Sequence, residues 1–216
     1  MLKYDLHVHT KYSKCSGLKL STLLKTAKKN GLNGIAITDH NTIRGALALK
    51  KLNKDRNFEV IIGEEIMTNN GELLAYYLKE EIRPGDVFEV IDKIKEQNGL
   101  ISVAHPYSVY RQRIGSFIFK LKGKIDAVEV FNGRAILPYE NRLAQNAAKL
   151  LNVGQTAGSD AHSRIEIGKA YTFFDEKYNL IEAVKKKKTN FKGVIWYAFP
   201  GGISSGIFKL KNFLRI

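Results

Sequence analysis

The chain has 216 residues, which is enough for one domain with a sizeable hydrophobic core. Its content of 44% hydrophobic residues is that of a globular protein, and no run of 18 or more apolar residues predicts a membrane span. The N-terminus enters a strand pattern directly, so we expect a cytoplasmic protein without a signal peptide. The single cysteine excludes an internal disulfide.

The formal net charge of +14 is unevenly distributed along the chain. Every Asp and Glu lies at or before Glu182, whereas the residues after it include the basic run Lys185–Lys188. A basic surface attracts phosphate-rich partners, so the charge favours a phosphorylated small molecule, a nucleotide or a nucleic acid as partner. Lysine bias also occurs in proteins that bind none of these partners, so the charge alone does not distinguish between the possibilities.

Strand and helix patterns alternate along the chain. Apolar runs predict strands at 3–7, 34–38, 60–62, 73–77, 100–104, 127–131, 153–157 and 171–174. Helical patterns cover 20–30, 43–52, 86–98, 139–151 and 180–187, with Ser21 expected to cap the first helix and Gly31 to end it. This β-then-α order predicts a mostly parallel sheet with helices outside, closed or nearly closed into a barrel.

All five histidines follow or end predicted strands. They lie in the segments DLHVHT, ITDHN, VAHPY and GSDAH, three of which also contain an Asp; the histidines are His7, His9, His40, His105 and His162. In a parallel barrel the carboxyl ends of the strands meet at one rim, where rigid elements can hold a metal ion. The distribution therefore predicts a metal site at that rim.

The spacing within the segments supports shared ligation. His7 and His9 are two residues apart, so on a strand both point to one face, and Asp160 repeats this spacing with His162. Glu65 ends another apolar strand, where a carboxylate can bridge two cations.

Two further residues have a predicted orientation. Glu64 is expected to point to the opposite face from its neighbour Glu65, because successive side chains alternate along a strand. His105 precedes Pro106, whose ring is expected to restrict the histidine to extended conformations.

Six segments carry a family resemblance. DLHVHTKYS, ITDHNT, GEEI, AHPY, EVFN and GSDAH, in that order, resemble the signature segments of the PHP (polymerase and histidinol phosphatase) superfamily of metal-dependent phosphoesterases. The resemblance covers roughly residues 1–175 and implies a distorted seven-stranded, TIM-like β/α barrel with its metal site at the carboxyl-terminal rim. Residues 176–216 would then form a short basic extension, which we expect to pack on the barrel.

The resemblance also implies a ligand set for two or three divalent ions, Zn, Mn or Fe. The first ion would be held by His7, His9, Glu65 and Asp160, the second by Glu65 with His105, and the third by His40 with His162. Glu65, Asp160 and His162 are the expected catalytic residues.

Two positions depart from the family pattern. Cys15 stands where members often have Asp or His; as a thiolate it is a candidate metal ligand, although a lone cysteine is more often a packing residue. Leu74 stands where many members have a histidine, which leaves the second position short of a ligand.

These observations predict a phosphoesterase that cleaves a phosphomonoester or phosphodiester through a metal-bridging hydroxide. Arg134, Arg111 and Asn132 follow predicted strand ends and are candidates to bind the substrate phosphate, although each arginine taken alone is more often an exposed loop residue and Asn132 could equally cap a turn. Two alternatives remain open: a nuclease that trims oligonucleotides, and a metal-binding module that has lost catalysis.

Overall fold

The computed structural model describes residues 1–195 and shows one nine-stranded sheet whose strands lie in chain order. The strands are β1 (Leu2–Val8), β2 (Gly34–Ile37), β3 (Glu59–Thr68), β4 (Gly71–Tyr76), β5 (Leu100–Val103), β6 (Ala127–Asn132), β7 (Gly154–Gly158), β8 (Ala170–Phe174) and β9 (Asn190–Gly193). β1 also pairs with β8, so the first eight strands close into a barrel and β9 extends β8 on the outside.

The expected seven-stranded barrel is wrong by one strand. β8 runs antiparallel to both β7 and β1 and hydrogen-bonds along residues Leu2, Lys3 and Tyr4 of β1. Without β8 the facing edges of β1 and β7 would expose unpaired backbone groups, which is why the eighth strand belongs to the closed ring.

The barrel is mixed rather than wholly parallel. β1, β2, β3, β5, β6 and β7 share one direction, while β4 and β8 run against their neighbours. β3 and β4 form a hairpin whose turn is Asn69–Asn70, and Gly71 after it has a φ of 103°, which favours glycine. The six strands of common direction bring their carboxyl ends to one rim.

Within residues 1–195, five α-helices cover the outside of the barrel, together with a 3₁₀ helix at Gly115–Leu121 that the sequence patterns did not predict. They are α1 (Leu20–Lys29), α2 (Arg44–Leu52), α3 (Val87–Glu96), α4 (Pro138–Leu151) and α5 (Leu180–Lys185). The predicted cap of α1 at Ser21 is wrong, because the helix begins at Leu20 and Lys19 is its N-cap without a side-chain hydrogen bond. Asp86 caps α3 by accepting from the backbone N–H of Phe88 and Glu89.

Apolar packing fills the barrel beneath the rim. Leu74 and Tyr76 lie on the same face of β4 as Glu72, and neither Leu74 nor Tyr76 has exposed surface. Between strands and helices, Ile91 and Ile94 of α3 and Leu23 of α1 are likewise fully buried or nearly so. The rim therefore stands on a densely packed base, which holds the side chains above it in place.

Part of the predicted extension lies against the barrel. α5 buries Leu180, Ala183 and Val184, and β9 pairs with β8 over four residues. Residues 196–216, with the basic and apolar tail that was expected to pack there, lie outside the described residues. Within residues 1–195, no helix is long and apolar enough to cross a membrane.

Candidate metal centre

The rim brings the predicted ligands together. His7 and His9 come from the end of β1, His40 follows β2, Glu65 lies in β3, His105 follows β5, and Asp160 and His162 follow β7. Six of these seven side chains are almost entirely buried, and His40 is 35% exposed. The structure thus gathers residues that are more than 150 positions apart in sequence into one polar pocket.

The carboxylate of Glu65 lies at the centre of this pocket. Its Oε1 is 2.9 Å from Nε2 of His105 and 3.4 Å from Nε2 of His7. Its Oε2 is 3.0 Å from Nδ1 of His40 and 3.3 Å from Nε2 of His9. Each oxygen therefore faces a different pair of imidazoles, which is the arrangement a bridging carboxylate requires.

Asp160 provides the second carboxylate, and its two oxygens face different partners. Oδ1 lies 3.2 Å from Nε2 of His9 and 3.7 Å from Nε2 of His7. Oδ2 accepts hydrogen bonds from the guanidinium of Arg111 and from Nδ2 of Asn132. One oxygen is thus held by the protein while the other faces the histidines.

Backbone geometry at the rim is unusual in the residues that carry ligands. Asp160 has a φ of 55° and Asn41, which follows His40, has a φ of 53°. The expectation that Pro106 keeps His105 extended is wrong, since His105 has a φ of 22°. Non-glycine residues with positive φ concentrate at functional sites because the surrounding structure must stabilise them.

Close backbone approach between β1 and β7 is part of this arrangement. A Cβ atom at Gly158 would lie 2.4 Å from Cβ of His7, so no side chain fits there. Asp5 then accepts hydrogen bonds from the backbone N–H and the hydroxyl of Ser159, which directly precedes Asp160. Burial raises the pKa of Asp5 to about 6, against the opposing effect of these hydrogen bonds.

Hydrogen bonds on the far side of the rings orient two of the imidazoles. Nδ1 of His7 lies 2.9 Å from Oε1 of Glu129, a carboxylate oxygen that accepts a hydrogen bond from it. Nδ1 of His162 lies 2.8 Å from the backbone oxygen of Asp160, which can only accept, so Nδ1 of His162 carries the proton. In His162 the lone pair is therefore on Nε2, and in His7 the proton on Nδ1 leaves Nε2 as the atom that would face a metal.

A relay through Ser13 orients His9 in the same way. The Ser13 hydroxyl donates to Asp39 at 2.7 Å, so its oxygen is left to accept from Nδ1 of His9 at 3.3 Å. Nε2 of His9 consequently presents its lone pair to Glu65 and Asp160.

The electrostatics of the pocket keep both carboxylates ionised. Burial disfavours the charged form of Glu65, but the imidazoles of His40 and His7 hold its pKa well below the usual value. Burial likewise opposes ionisation of Asp160, yet Arg111 and His7 hold the pKa of that carboxyl well below its usual value. Two buried negative charges therefore converge on one small volume.

The residues fit a bound cation. Among residues 1–195, four buried atoms that face one another in the pocket make no hydrogen bond: Nε2 of His7, Nε2 of His9, Oε2 of Glu65 and Oδ1 of Asp160. A buried polar atom without a partner costs about 1–3 kcal/mol, so four in one place call for a common partner. Imidazole nitrogen and carboxylate oxygen together suit Zn, Mn and Fe.

Sequence reasoning missed one acidic residue, Glu72, at the second position. Its Oε2 lies 3.5 Å from Nε2 of His105, and its Oε1 lies 3.7 Å from Nδ1 of His40. The family resemblance points to Leu74 for this ligand, but Leu74 pairs with Glu65 and lies deeper in the barrel than Glu72. Strand alternation places Glu72 on the same face as Leu74, and this signal could have identified it.

Glu129, in the EVFN segment, was also missed. Its Oε1 accepts from His7, and its Oε2 accepts from the backbone N–H of His105 at 2.8 Å and from Asn132 at 3.1 Å. It does not face the centre of the pocket but positions two histidines that do. A buried Glu in a strand next to a ligand strand was the available signal.

Glu64 points away from the pocket, as the alternation predicts. Its Oε2 accepts from the backbone N–H of Ile82 at 3.0 Å, in the layer between barrel and helices. Burial raises the pKa of Glu64 to about 7. Two adjacent glutamates thus lie in entirely different environments.

The three candidate phosphate-binding residues lie together beside Asp160. Arg111 pairs with Asp160, and Nη1 of Arg134 lies 4.0 Å from Oε1 of Glu166. Asn132 accepts from the backbone N–H of Arg134 at 2.8 Å through Oδ1 and donates through Nδ2 to Asp160. All three line a small cavity next to the pocket.

Cys15 lies close to the remaining histidines. Ligand atoms of His9, Cys15, His40 and His162 are all within 4.8 Å of one another. Burial lowers the pKa of His40, but the Glu65 carboxylate and a hydrogen bond with Cys15 raise it to about 11. The thiol is therefore part of the pocket rather than of a separate surface.

Fold and site together define a class of protein: TIM-like barrels with a rim pocket of histidines and carboxylates suited to metal-dependent hydrolysis. The model of the PHP domain matches residues 5–188, so this chain belongs to the PHP domain family. An uncharacterized protein of Methanocaldococcus jannaschii is 49% identical over 142 residues, which cover 61% of this chain and 82% of that protein.

Solved structures share the fold at low sequence identity. The match to PsfC from Pseudomonas syringae covers 97% of this chain and 98% of PsfC, with a TM-score of 0.71 and 17% identity. The match to a protein of Bifidobacterium adolescentis assigned as a metal-dependent phosphoesterase covers 74% of this chain and 88% of that protein, with a TM-score of 0.64 and 18% identity. The match to the lesion-specific endonuclease EndoQ of Pyrococcus furiosus covers 86% of this chain and 56% of the endonuclease, with a TM-score of 0.60 and 17% identity.

Proposed function

We propose that this protein is a metal-dependent phosphoesterase that hydrolyses a phosphomonoester or phosphodiester. The observation that carries the proposal is the group of four buried ligand atoms on His7, His9, Glu65 and Asp160 that face one another and make no hydrogen bond. Similarity to a protein assigned as a metal-dependent phosphoesterase and to an endonuclease supports the same reaction class.

The ligand positions divide among two or three divalent ions. His7, His9, Glu65 and Asp160 are proposed to hold the first. Glu65 and His105 are proposed to hold the second, and Glu72 completes that position with a carboxylate 3.5 Å from His105.

His40 and His162 are proposed to belong to the third position. Bound divalent ions lower the pKa of water and neutralise charge on phosphate oxygens, which is the chemistry that the reaction needs.

The chain's own residues supply binding and orientation. Arg111 lies against Asp160 and presents a guanidinium at the edge of the pocket, where two N–H groups can bind a phosphate bidentately. Arg134 is 97% buried next to Asn132, so its charge is fixed in position beside the pocket. These three residues are proposed to bind the substrate phosphate.

His162 is proposed to take part in catalysis as a ligand of the third ion. Its Nδ1 is held by the Asp160 carbonyl, and burial and the neighbouring His9 hold its pKa well below the usual value. The ring is therefore neutral, with an acceptor at Nε2.

A nuclease is the second candidate function. The net charge of +14 and the likeness to an endonuclease favour it over a non-catalytic metal-binding module. A nuclease and a small-molecule phosphoesterase would use the same pocket, and only the substrate separates them.

The test is a substrate screen of metal-reconstituted protein. Phosphomonoesters, cyclic and linear phosphodiesters and short oligonucleotides are assayed with the His7→Ala/His9→Ala variant as the inactive control. Hydrolysis of a small ester by the wild type alone supports the proposal, and cleavage confined to oligonucleotides identifies the nuclease. A metal-loaded wild type that cleaves none of them would show a binding module.

A further inference from the structure

We propose that a groove at the amino-terminal end of the barrel is a second binding site, and that it takes a nucleoside phosphate, either as a free nucleotide or as the end of an oligonucleotide. The groove has a volume of about 1090 Å³, which is large enough for a ligand of this size. None of the residues that line it belongs to the metal centre, so the inference does not depend on the proposed function.

The groove lies at the opposite end of the strands from the metal pocket. Leu2 lies at the start of β1, Asn33 directly precedes β2, and Glu59 begins β3. His7 and Glu65, by contrast, lie towards the carboxyl ends of β1 and β3. Because a strand rises about 3.3 Å per residue, the seven residues of β1 separate the two places by roughly 20 Å. A ligand in the groove therefore leaves the metal ligands untouched.

Four basic side chains give the edge of the groove a positive charge. All four are exposed, and within residues 1–195 none of them forms an ion pair with a carboxylate. The two acids that line the groove already have partners: Asp55 accepts from Nζ of Lys28 at 2.8 Å. Glu59 accepts from the hydroxyl of Tyr4 at 2.7 Å. An anionic group is therefore the expected partner of the cations, which are Lys50, Lys54, Arg56 and Lys79.

The floor of the groove is apolar and partly aromatic. Phe58, Val60 and Leu78 line it and are buried. Tyr77 is half-buried and follows β4 with a φ of 63°, in the left-handed region that a bulky residue rarely adopts. Such a conformation persists only where the surrounding structure holds it, and it concentrates at ligand sites. The Tyr77 ring therefore provides a fixed aromatic surface beside the cations.

Two polar side chains next to this floor suit the edge of a nucleobase. Asn33 and Glu59 lie at neighbouring strand ends, since the backbone N–H of Glu59 donates to the backbone oxygen of Asn33 at 2.9 Å. Oδ1 of Asn33 accepts from the backbone N–H of Lys3 at 3.0 Å, which leaves the amide NH₂ to donate. The Glu59 carboxylate accepts.

A nucleoside phosphate complements both parts of the groove. Nucleobases present donors and acceptors along one edge and an apolar face on each side, which match the amide, the carboxylate and the tyrosine ring. The phosphate matches the exposed cations, which bind it by charge-assisted hydrogen bonds. Inorganic phosphate would use only the cations, and a nucleoside would use only the floor.

Isothermal titration of full-length protein with AMP, adenosine and inorganic phosphate tests the site. The protein is desalted without metal reconstitution, and circular dichroism shows that each variant is folded. AMP should bind at least about tenfold more tightly than adenosine or phosphate. Binding of a 5′-phosphorylated oligonucleotide without binding of AMP would identify the chain end as the ligand. Equal binding of AMP and phosphate, or binding of neither AMP nor the oligonucleotide, would overturn the inference.

Charge variants locate the bound AMP. Lys54→Glu/Arg56→Glu should raise the Kd for AMP by at least about tenfold. Lys93→Glu/Lys95→Glu changes the net charge by the same amount on the exposed side of α3 and should leave the Kd unchanged. An equal rise in both variants would show unspecific attraction to a basic protein, and no rise in the groove variant would place AMP elsewhere. Either result overturns the inference and leaves the metal centre intact.

Two further variants separate the ring from the phosphate and the groove from the rim. Tyr77→Gly removes the aromatic ring, while glycine adopts a φ of 63° without strain. It should raise the Kd for AMP by at least about fivefold and leave binding of inorganic phosphate unchanged. AMP binding should persist in His7→Ala/His9→Ala. Loss of AMP binding in a folded His7→Ala/His9→Ala variant would assign it to the rim and overturn the inference.

Discussion

Two neighbouring glutamates on β3 are both buried, but the rim pocket and the layer between barrel and helices shift their pKa values in opposite directions. Glu65 is 1% exposed and faces four imidazoles, and His40 and His7 offset the burial and hold its pKa well below the usual value. Glu64 has no exposed surface and one backbone N–H as partner, so burial raises its pKa to about 7. Burial is common to both regions, and the surrounding charge decides what the carboxylate does.

The largest expected effect separates these two residues. Glu65→Gln should lower hydrolysis of a general phosphodiester such as bis-p-nitrophenyl phosphate by at least about a hundredfold, because the carboxylate that we propose to bridge two ions is lost. Glu64→Gln, one residue away, should retain most of the activity. If the two variants exchange these results, the pocket lies on the opposite face of β3.

Removing the bound ions with a chelator should lower the thermal stability of the wild type. Ions at a hundred times their Kd stabilise the native state by about 2.7 kcal/mol, so their removal should lower Tm by roughly 5–10 °C. Differential scanning calorimetry of wild type and of His7→Ala/His9→Ala checks this. The variant, which lacks the first ion, should show a smaller decrease in Tm than the wild type; an equal decrease in both would place the bound ions elsewhere.

The support around the pocket can be tested at Glu129, which accepts from Nδ1 of His7 and from the backbone of His105. Glu129→Gln weakens the hold on both rings and should reduce metal affinity by about 10–100-fold. Competition with a chromophoric chelator measures it, with Glu96→Gln on the exposed side of α3 as the control. Equal affinity in the two variants would show that Glu129 does not orient the ligands.

The smallest effect is expected in the helix layer. In Glu64→Gln the amide oxygen still accepts from the N–H of Ile82, so the free energy of unfolding at pH 7 should change by less than about 1 kcal/mol. Denaturant unfolding measures this change. A loss of several kcal/mol would mean that the ionised carboxylate has a structural partner in that layer.

Much of the fold follows from local pattern. Buried apolar runs predicted all eight closing strands, because strands that are covered on both faces have few polar residues. The seven-stranded ring that the resemblance implied was wrong, because β8 pairs with β1 across about 170 residues and closes the ring as an eighth strand. The predicted N-cap of α1 was wrong because Ser21, although a residue type that often caps helices, lies inside a helix whose N-cap is Lys19.

The candidate ligands were predictable where residue chemistry is distinctive. All five histidines follow or end predicted strands, and the structure brings all of them into one pocket. Glu72 was missed because glutamate is common on surfaces, although strand alternation places it on the same face as Leu74 and it lies 3.5 Å from His105. The conformation of His105 was wrong because tertiary contacts at Glu65 and Glu129 outweigh the preference that Pro106 imposes.

The most direct test of the central claim is the metal content of purified protein after reconstitution and desalting. Wild type is compared with His7→Ala/His9→Ala by elemental analysis, with circular dichroism to show that both are folded. We predict at least two divalent ions per wild-type chain and at least one fewer in the variant. Equal metal content in two folded proteins would contradict the assignment of His7 and His9 to the centre.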